Sequence, residues 1–125
     1  ISKIPYDEAP VVGGRDIWKS VKVDGVWQTP VNLGEPLNSK GEEWSIFVDY
    51  MGRFWIDGNR ADSLGNFDIY VAENEKATPI NLGAPINADV AEREPTINEK
   101  FFFFSANKRE GGHGGWDLWY MVRLP

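Results

Sequence analysis

The sequence predicts an all-β fold assembled from a unit of about 50 residues that occurs more than once. Residues 29–38 read TPVNLGEPLN, and residues 78–87 read TPINLGAPIN. A triplet of Asp, an aliphatic residue and an aromatic residue begins at Asp16, Asp68 and Asp117. Self-similarity at this period in a strand-rich sequence is typical of β-propeller blades, each a sheet of four antiparallel strands. We therefore expect about two and a half blades, which other blades of the same or symmetry-related chains would complete into a ring.

The predicted organisation treats residues 1–125 as a single propeller segment. Residues 1–37 form the end of one blade, residues 38–86 a second blade, and residues 87–125 an incomplete third blade. No segment combines a 3.6-residue apolar period with helix caps, so we expect little helix.

Turn residues divide each unit into short strands. The Asp24-Gly25 pair suits a type I′ turn and predicts a hairpin over residues 21–27. Two further strands are expected to flank residues 49–52 in one unit and residues 98–100 in the next. Each second strand then runs into a glycine-rich loop, at residues 58–66 and 107–115. The strand that begins with the Asp triplet follows each loop.

The repeat offset changes by one residue inside the second unit. Most matches lie 49 residues apart, but aligning Asn59-Arg60 with Asn107-Lys108 requires an offset of 48. This alignment predicts that one residue is gained in the loop that follows. Such slips belong in turns and loops, because a slip within a strand would turn every side chain to the other face.

Composition excludes several classes of function. A net charge of −6 argues against nucleic acid as a partner, since phosphates require a basic surface. No apolar run reaches the length of about 18 residues that a membrane-spanning helix needs. The chain has no cysteine and one histidine, which disfavours disulfides and zinc catalysis.

Five of the six tryptophans divide into two groups. Trp18 and Trp119 share the position of Tyr70 in the Asp triplets, which predicts that all three pack between blades. Trp27, Trp44 and Trp55 have no matched counterpart of the same size. Either packing or contact with a ligand is compatible with their positions.

Oxygen-bearing side chains cluster around the first glycine loop. Asp57, Asp62 and Asp68, together with two asparagines, could hold Ca²⁺. However, an Asp that recurs before each buried strand usually accepts hydrogen bonds from backbone N–H groups in the adjoining turn. We therefore predict no metal site and no cofactor, with Ca²⁺ as the alternative.

Catalytic motifs are sparse, and whether the chain is an enzyme stays open. His113 lies in a glycine loop, and neither a nucleophile elbow nor a phosphate-binding loop is present. Glu43, Asp49 and Glu92 could face a central channel as the paired carboxylates of a glycosidase. Because Glu43 and Glu92 recur at the same repeat position, a structural role is favoured. We predict no catalytic residue.

Two runs of residues, RFWIDGNR at 53–60 and LGNFDIYV at 64–71, resemble the PD40 form of the WD40-like β-propeller repeat. The second unit is similar through FFFSANK at 102–108 and GGWDLW at 114–119. The resemblance extends to TolB-like propellers and to propellers associated with OmpA-like domains. It implies a periplasmic, envelope or secreted location and a role in binding or scaffolding.

Together these features predict a non-enzymatic binding or scaffold module with a protein or glycan ligand. The loops between strands, residues 58–66 and 108–115, would supply the contacts. The candidate ligand-binding residues are Trp27, Trp44, Trp55, Arg60, Asn66, Arg109 and His113. The alternative is a carbohydrate-active propeller, either a lectin or a glycoside hydrolase, that uses exposed tryptophans and channel-facing carboxylates.

Overall fold

A computed structural model of the chain describes residues 11–124, which form eleven β-strands and no helix. The strands are β1 (Trp18–Lys19), β2 (Lys22–Val23), β3 (Val26–Trp27), β4 (Val31–Asn32), β5 (Glu43–Val48), β6 (Phe54–Gly58), β7 (Asp68–Ala72), β8 (Ile80–Asn81), β9 (Glu92–Ile97), β10 (Phe101–Asn107) and β11 (Trp116–Val122). The part of the predicted first blade that falls on residues 1–10 lies outside the described residues.

The strands form antiparallel sheets, which confirms the all-β prediction. Strands β5 to β8 make a four-stranded sheet in sequence order, and β9 to β11 make a three-stranded sheet. Strand β1 pairs with β4, and β2 pairs with β3 as a hairpin. The central residues of the turn between β2 and β3 have the positive φ angles of a type I′ turn, 48° at Asp24 and 80° at Gly25.

The four-stranded sheet is packed on both faces, because successive side chains of a strand point to opposite sides. On one face Ile56 and Tyr70 pack with Ile17 and Leu37. On the other face Trp55 and Ile69 pack with three buried side chains of β10, namely Phe102, Phe104 and Ala106. This sheet therefore lies between the β1–β4 pair and the three-stranded sheet.

The two larger sheets share one register. Glu43 pairs with Gly58, and Gly58 in turn pairs with Asp68. In the second sheet Glu92, Ala106 and Asp117 are paired in the same way. Equivalent residues of the two sheets are therefore 49 positions apart in the first and third strands, and 48 positions apart in the middle strand.

The extra residue enters earlier than the sequence alignment places it. The amide of Asn59 donates to the Glu42 carbonyl at 3.2 Å, and the amide of Asn107 donates to the Ala91 carbonyl at 3.0 Å. Lys108 then adopts a left-handed φ of 52° and is the inserted residue. The side chain that takes the contacts of Arg60 is consequently that of Arg109, so the predicted match of Arg60 with Lys108 is wrong.

Candidate binding surfaces

The Asp triplets hold the turns that precede them. The Asp68 carboxylate accepts hydrogen bonds from the amides of Leu64 at 2.6 Å and Gly65 at 3.3 Å. Asp16 binds two preceding amides in the same way, at 2.7 and 3.0 Å, and Asp117 does so at 2.9 and 3.3 Å. The predicted role of these carboxylates as acceptors for backbone amides is confirmed.

Each of the two repeated decapeptides, residues 29–38 and 78–87, is fixed to the neighbouring strand by a buried asparagine. Asn87 accepts a hydrogen bond from the Ile69 amide at 2.8 Å and donates to the Ile69 carbonyl at 2.9 Å. It also donates to the Asn81 side chain at 2.8 Å, and Asn81 donates to Asp68 at 2.8 Å. The equivalent contacts of the first decapeptide, at 2.7 to 3.0 Å, join Asn38, Asn32, Ile17 and Asp16. Sequence reasoning found the repeat but missed these asparagines, whose recurrence was the available signal.

Arg60 and Arg109 hold the far end of each decapeptide. Arg60 donates to the carbonyls of Pro36 at 2.8 Å and Leu37 at 2.7 Å, and it pairs with Glu43 at 3.0 Å. The corresponding contacts of Arg109 are with the carbonyls of Pro85 and Ile86 and with Glu92 at 3.3 Å. Both prolines follow a cis peptide bond. These two predicted ligand-binding arginines therefore contact the chain itself.

The two glutamates at this position are buried, at 3% exposure for Glu43 and 0% for Glu92. Burial raises the pKa of Glu43 above its usual value, although hydrogen bonds from Ser39 oppose the shift. Burial raises the pKa of Glu92 to about 7, with the Ala88 amide and the charge of Arg109 opposing it. Ala88 lacks the hydroxyl that Ser39 donates to Glu43, so Glu92 is the less stabilised carboxylate. One oxygen of each glutamate is buried without a hydrogen-bond partner among residues 11–124.

Asp49, the third candidate carboxylate, closes a turn. Burial alone would raise its pKa, but hydrogen bonds from the Trp55 indole and from Arg53 lower it to about 2. The carboxylate lies 2.7 Å from Arg53 Nε and 3.0 Å from Trp55 Nε1. Its hydrogen-bonding capacity is therefore used within the turn and the adjoining strand.

The three tryptophans that lack counterparts occupy different environments. Trp27 is 66% exposed at the end of the β2–β3 hairpin. Trp44 is partly exposed, and the guanidinium carbons of Arg15 and Arg93 lie 3.7 and 3.9 Å from its ring centroid. Trp55 is buried against Phe102, with ring centroids 5.6 Å apart. Of the three, Trp27 has the ring that is most accessible to a ligand.

The remaining ligand-binding candidates, Asn66 and His113, are exposed in their loops. The loop of residues 58–66 also packs closely on the chain, because a Cβ on Gly65 would lie 2.0 Å from the Val90 carbonyl oxygen. Glycine is therefore required there for an internal contact. At Gly114, the equivalent position of the second loop, the nearest atom to such a Cβ would be 3.9 Å away.

The weak metal candidates are engaged elsewhere. Asp57 is fully buried and accepts hydrogen bonds from the amides of Trp44 and Glu94, at 3.1 and 2.8 Å. Asp62 accepts a hydrogen bond from the Tyr70 hydroxyl at 2.8 Å. Among residues 11–124, no three acidic, histidine or cysteine side chains are grouped as a metal site would require.

Comparisons with family models, curated proteins and solved structures gave no match to this chain. Within the described part, no helix is long and apolar enough to cross a membrane. The PD40 resemblance therefore depends on the sequence motifs quoted above.

Proposed function

We propose that this chain is a β-propeller segment that serves as a non-enzymatic binding or scaffold module of a bacterial envelope or secreted protein. The observation that carries the proposal is the pair of repeated networks around Asn38 and Asn87, which attach the last strand of two successive sheets in the same manner. Repeated sheets that contact only their neighbours are typical of repeat proteins, whose usual role is to present an extended surface. Other blades would cover the two outer sheets.

The carboxylates support a scaffold rather than an enzyme. Glu43 and Glu92 are buried and paired with arginines, and Asp49 is bound by Arg53 and Trp55. A general acid or base must lie within hydrogen-bonding reach of the substrate proton. The carboxyl groups of Glu43 and Glu92 are buried at the same position of two repeats, which favours a structural role over a catalytic one.

The loops of residues 58–66 and 108–115 offer the surface for a ligand. Asn66 and His113 are exposed there, whereas Arg60 and Arg109 are used to hold the decapeptides. Exposed polar groups on loops that a rigid sheet positions are common sites of protein recognition.

Site-specific photo-crosslinking tests this proposal. A photoreactive residue at Asn66 or His113 is expected to yield discrete crosslinked products in a bacterial envelope fraction. The matched control is the same residue at Glu73, which is exposed in the turn between β7 and β8. Equal products from all three positions, or none from the loops, would contradict the loop surface.

A carbohydrate-binding function is the second candidate, because Trp27 presents an exposed ring on a projecting hairpin. Aromatic rings of this kind can stack on apolar faces of ligands. A glycan array with Trp27→Ala and the buried-ring control Trp55→Phe separates the two functions. Binding that Trp27→Ala abolishes would favour a lectin, and binding that survives it would remove this hairpin from consideration.

A further inference from the structure

The outer edge of β11 resembles the edges of two other strands, each of which binds a segment of the chain. In the two filled cases, β1 receives residues 29–41 and β7 receives residues 78–90; we call these two stretches the docking segments. Strand β11 contains the third Asp triplet, residues 117–119, but has no neighbour on its outer side among residues 11–124.

The filled sites define what a docking segment contributes. Its first asparagine, Asn32 or Asn81, donates to the triplet Asp at 2.8 Å. Its second asparagine, Asn38 or Asn87, binds both the amide and the carbonyl of the next residue in the triplet. A leucine amide of the segment donates to the same carbonyl, at 3.2 Å in the first site and 3.1 Å in the second.

The third site has the matching groups in place. Asp117 already binds the amides of its own turn, as Asp16 and Asp68 do. Leu118 occupies the position of Ile69, is paired with Ser105 in the equivalent register, and is 87% exposed. Because Ile69 directs its amide and carbonyl toward the docking segment, the same two groups of Leu118 face the free edge.

A further observation indicates a missing occupant. The space beside Gly114 is open among the described residues, whereas at Gly13 and Gly65 a carbonyl oxygen of a docking segment lies 2.0 Å from the point that a Cβ would occupy.

We propose that the outer edge of β11 is a binding site for a peptide segment of the form Thr-Pro-aliphatic-Asn-Leu-Gly-x-Pro-aliphatic-Asn. Main-chain pairing along an exposed edge supplies affinity in such strand addition, and specific side chains supply selectivity. Here the selective groups are the two asparagines of the segment. Both docking segments among residues 11–124 are already engaged, so the occupant is a further segment of this sequence class.

The affinity is expected to be weak. In the first two sites an arginine of the following sheet, Arg60 or Arg109, also donates a hydrogen bond to the carbonyl of the segment's second proline, Pro36 or Pro85. The β11 edge supplies the strand half alone. We therefore expect a dissociation constant on the order of 100 μM for a free peptide, which must also lose conformational freedom on binding.

Titration of the 125-residue protein with a fluorescent peptide of residues 78–90, TPINLGAPINADV, tests the proposal. We expect saturable binding with one peptide per chain and protection of the Leu118 amide from hydrogen exchange. A peptide with Asn81→Ala and Asn87→Ala should bind at least about tenfold more weakly, because it loses several hydrogen bonds. These peptide controls leave the protein unchanged and do not depend on the folding of a variant.

A protein variant provides a second readout. Asp117→Ala should weaken binding several-fold, whereas Glu73→Ala, in the turn between β7 and β8, should bind as the original chain does. No saturation at millimolar peptide, equal affinity for the double-alanine peptide, or protection of Ile17 and Ile69 in place of Leu118 would each overturn the proposal. The site depends on the proposed blade repeat and lies beside Gly114 of the second loop, but it does not require a ligand at Asn66 or His113, so a negative result in the loop crosslinking experiment leaves this test unaffected.

Discussion

At the scale of single residues, equivalent turns use a charged side chain in one repeat and a neutral one in the other. Asp49 Oδ1 accepts hydrogen bonds from the amides of Met51 and Arg53, both at 2.9 Å. Asn98 accepts from the amides of Lys100 and Phe101, at 2.9 and 2.8 Å. Within the described part of the chain, only the aspartate adds bonds from side chains, those of Arg53 and Trp55, so its charge contributes beyond the turn itself.

Asp49→Asn should therefore destabilise the protein at neutral pH by about 1–2 kcal/mol, since charge-assisted hydrogen bonds are lost. The pKa of Asp49 is lowered from 3.8 to about 2 in the folded protein. A lowered carboxyl pKa stabilises the fold above the unfolded value, and this contribution is lost as the pH falls from about 4 to about 2. Urea unfolding at pH 7 and at pH 2.5 measures the difference. Asn98→Asp, which keeps the turn acceptor, is the control, and a loss that is the same at both pH values would contradict this account.

Glu92 has the opposite pH dependence. Its pKa is raised from 4.5 to about 7, so the folded state holds a proton that the unfolded state releases. Stability should therefore fall as the pH rises from about 4.5 to about 7, by at most about 1.4 kcal/mol per pH unit.

Glu92→Gln should remove this slope, and Ala88→Ser should reduce it by supplying the hydroxyl that Ser39 gives Glu43. Urea unfolding of the three proteins at pH 5 and pH 8 provides the measurement. A slope that persists in Glu92→Gln would assign the pH dependence to another group.

Residue roles were predictable where a residue recurs with its context. The repeated Asp16, Asp68 and Asp117 were correctly expected to accept backbone amides, because the turn and the strand recur with them. Arg60 and Trp55 were expected to contact a ligand, but they lie against the chain. The direction of a long side chain depends on where its acceptors lie, here the distant Pro36 carbonyl for Arg60 and the nearby Asp49 for Trp55.

At the scale of elements, each decapeptide forms a strand of only two residues, and side chains attach it to the neighbouring strand. Strand β8 pairs with β7 through Tyr70–Asn81 and Val71–Ile80 only. The buried Asn87 adds three hydrogen bonds to this short pairing. The Asn87 side chain therefore supplies hydrogen bonds that backbone pairing would supply in a longer strand.

Asn87→Ala should cost about 2–4 kcal/mol, because it leaves the buried Ile69 amide without its acceptor and removes one of the two hydrogen bonds to the Ile69 carbonyl. Denaturant unfolding measures the loss. The matched control is Asn66→Ala, an exposed asparagine for which a change within about 0.5 kcal/mol is expected. Equal effects of the two substitutions would show that the asparagine clamp adds little to stability.

Strand order and turns followed from the sequence, but the detailed register did not. The Asp24-Gly25 hairpin was predicted because type I′ turns demand those residues. The position of the inserted residue was predicted wrongly because Asn59-Arg60 and Asn107-Lys108 are chemically similar pairs, each an asparagine followed by a basic residue. The structure separates them: Lys108 takes a left-handed conformation, and Arg109 reaches the proline carbonyl.

At the scale of the whole molecule, packing is concentrated in the centre. The β5–β8 sheet has a buried cluster on each face, whereas the β2–β3 hairpin is exposed along its whole length. Apolar side chains on the outer face of β10 and β11 are also accessible, among them Phe103 and Tyr120. Local stability should follow this gradient, because regions with few buried contacts open at low free energy.

Native-state hydrogen exchange tests this gradient directly. The amides of Ile56 and Ile69 should be the most protected and those of Val23 and Val26 the least, and strands β9 to β11 should fall between them. Exchange rates of the unfolded chain in concentrated urea serve as the control, because they remove the intrinsic chemistry of each amide. Increasing urea below the unfolding midpoint should merge β6 and β7 into one opening unit before β10 joins it. Uniform protection across all strands would mean that the described sheets unfold together and that the central sheet has no special stability.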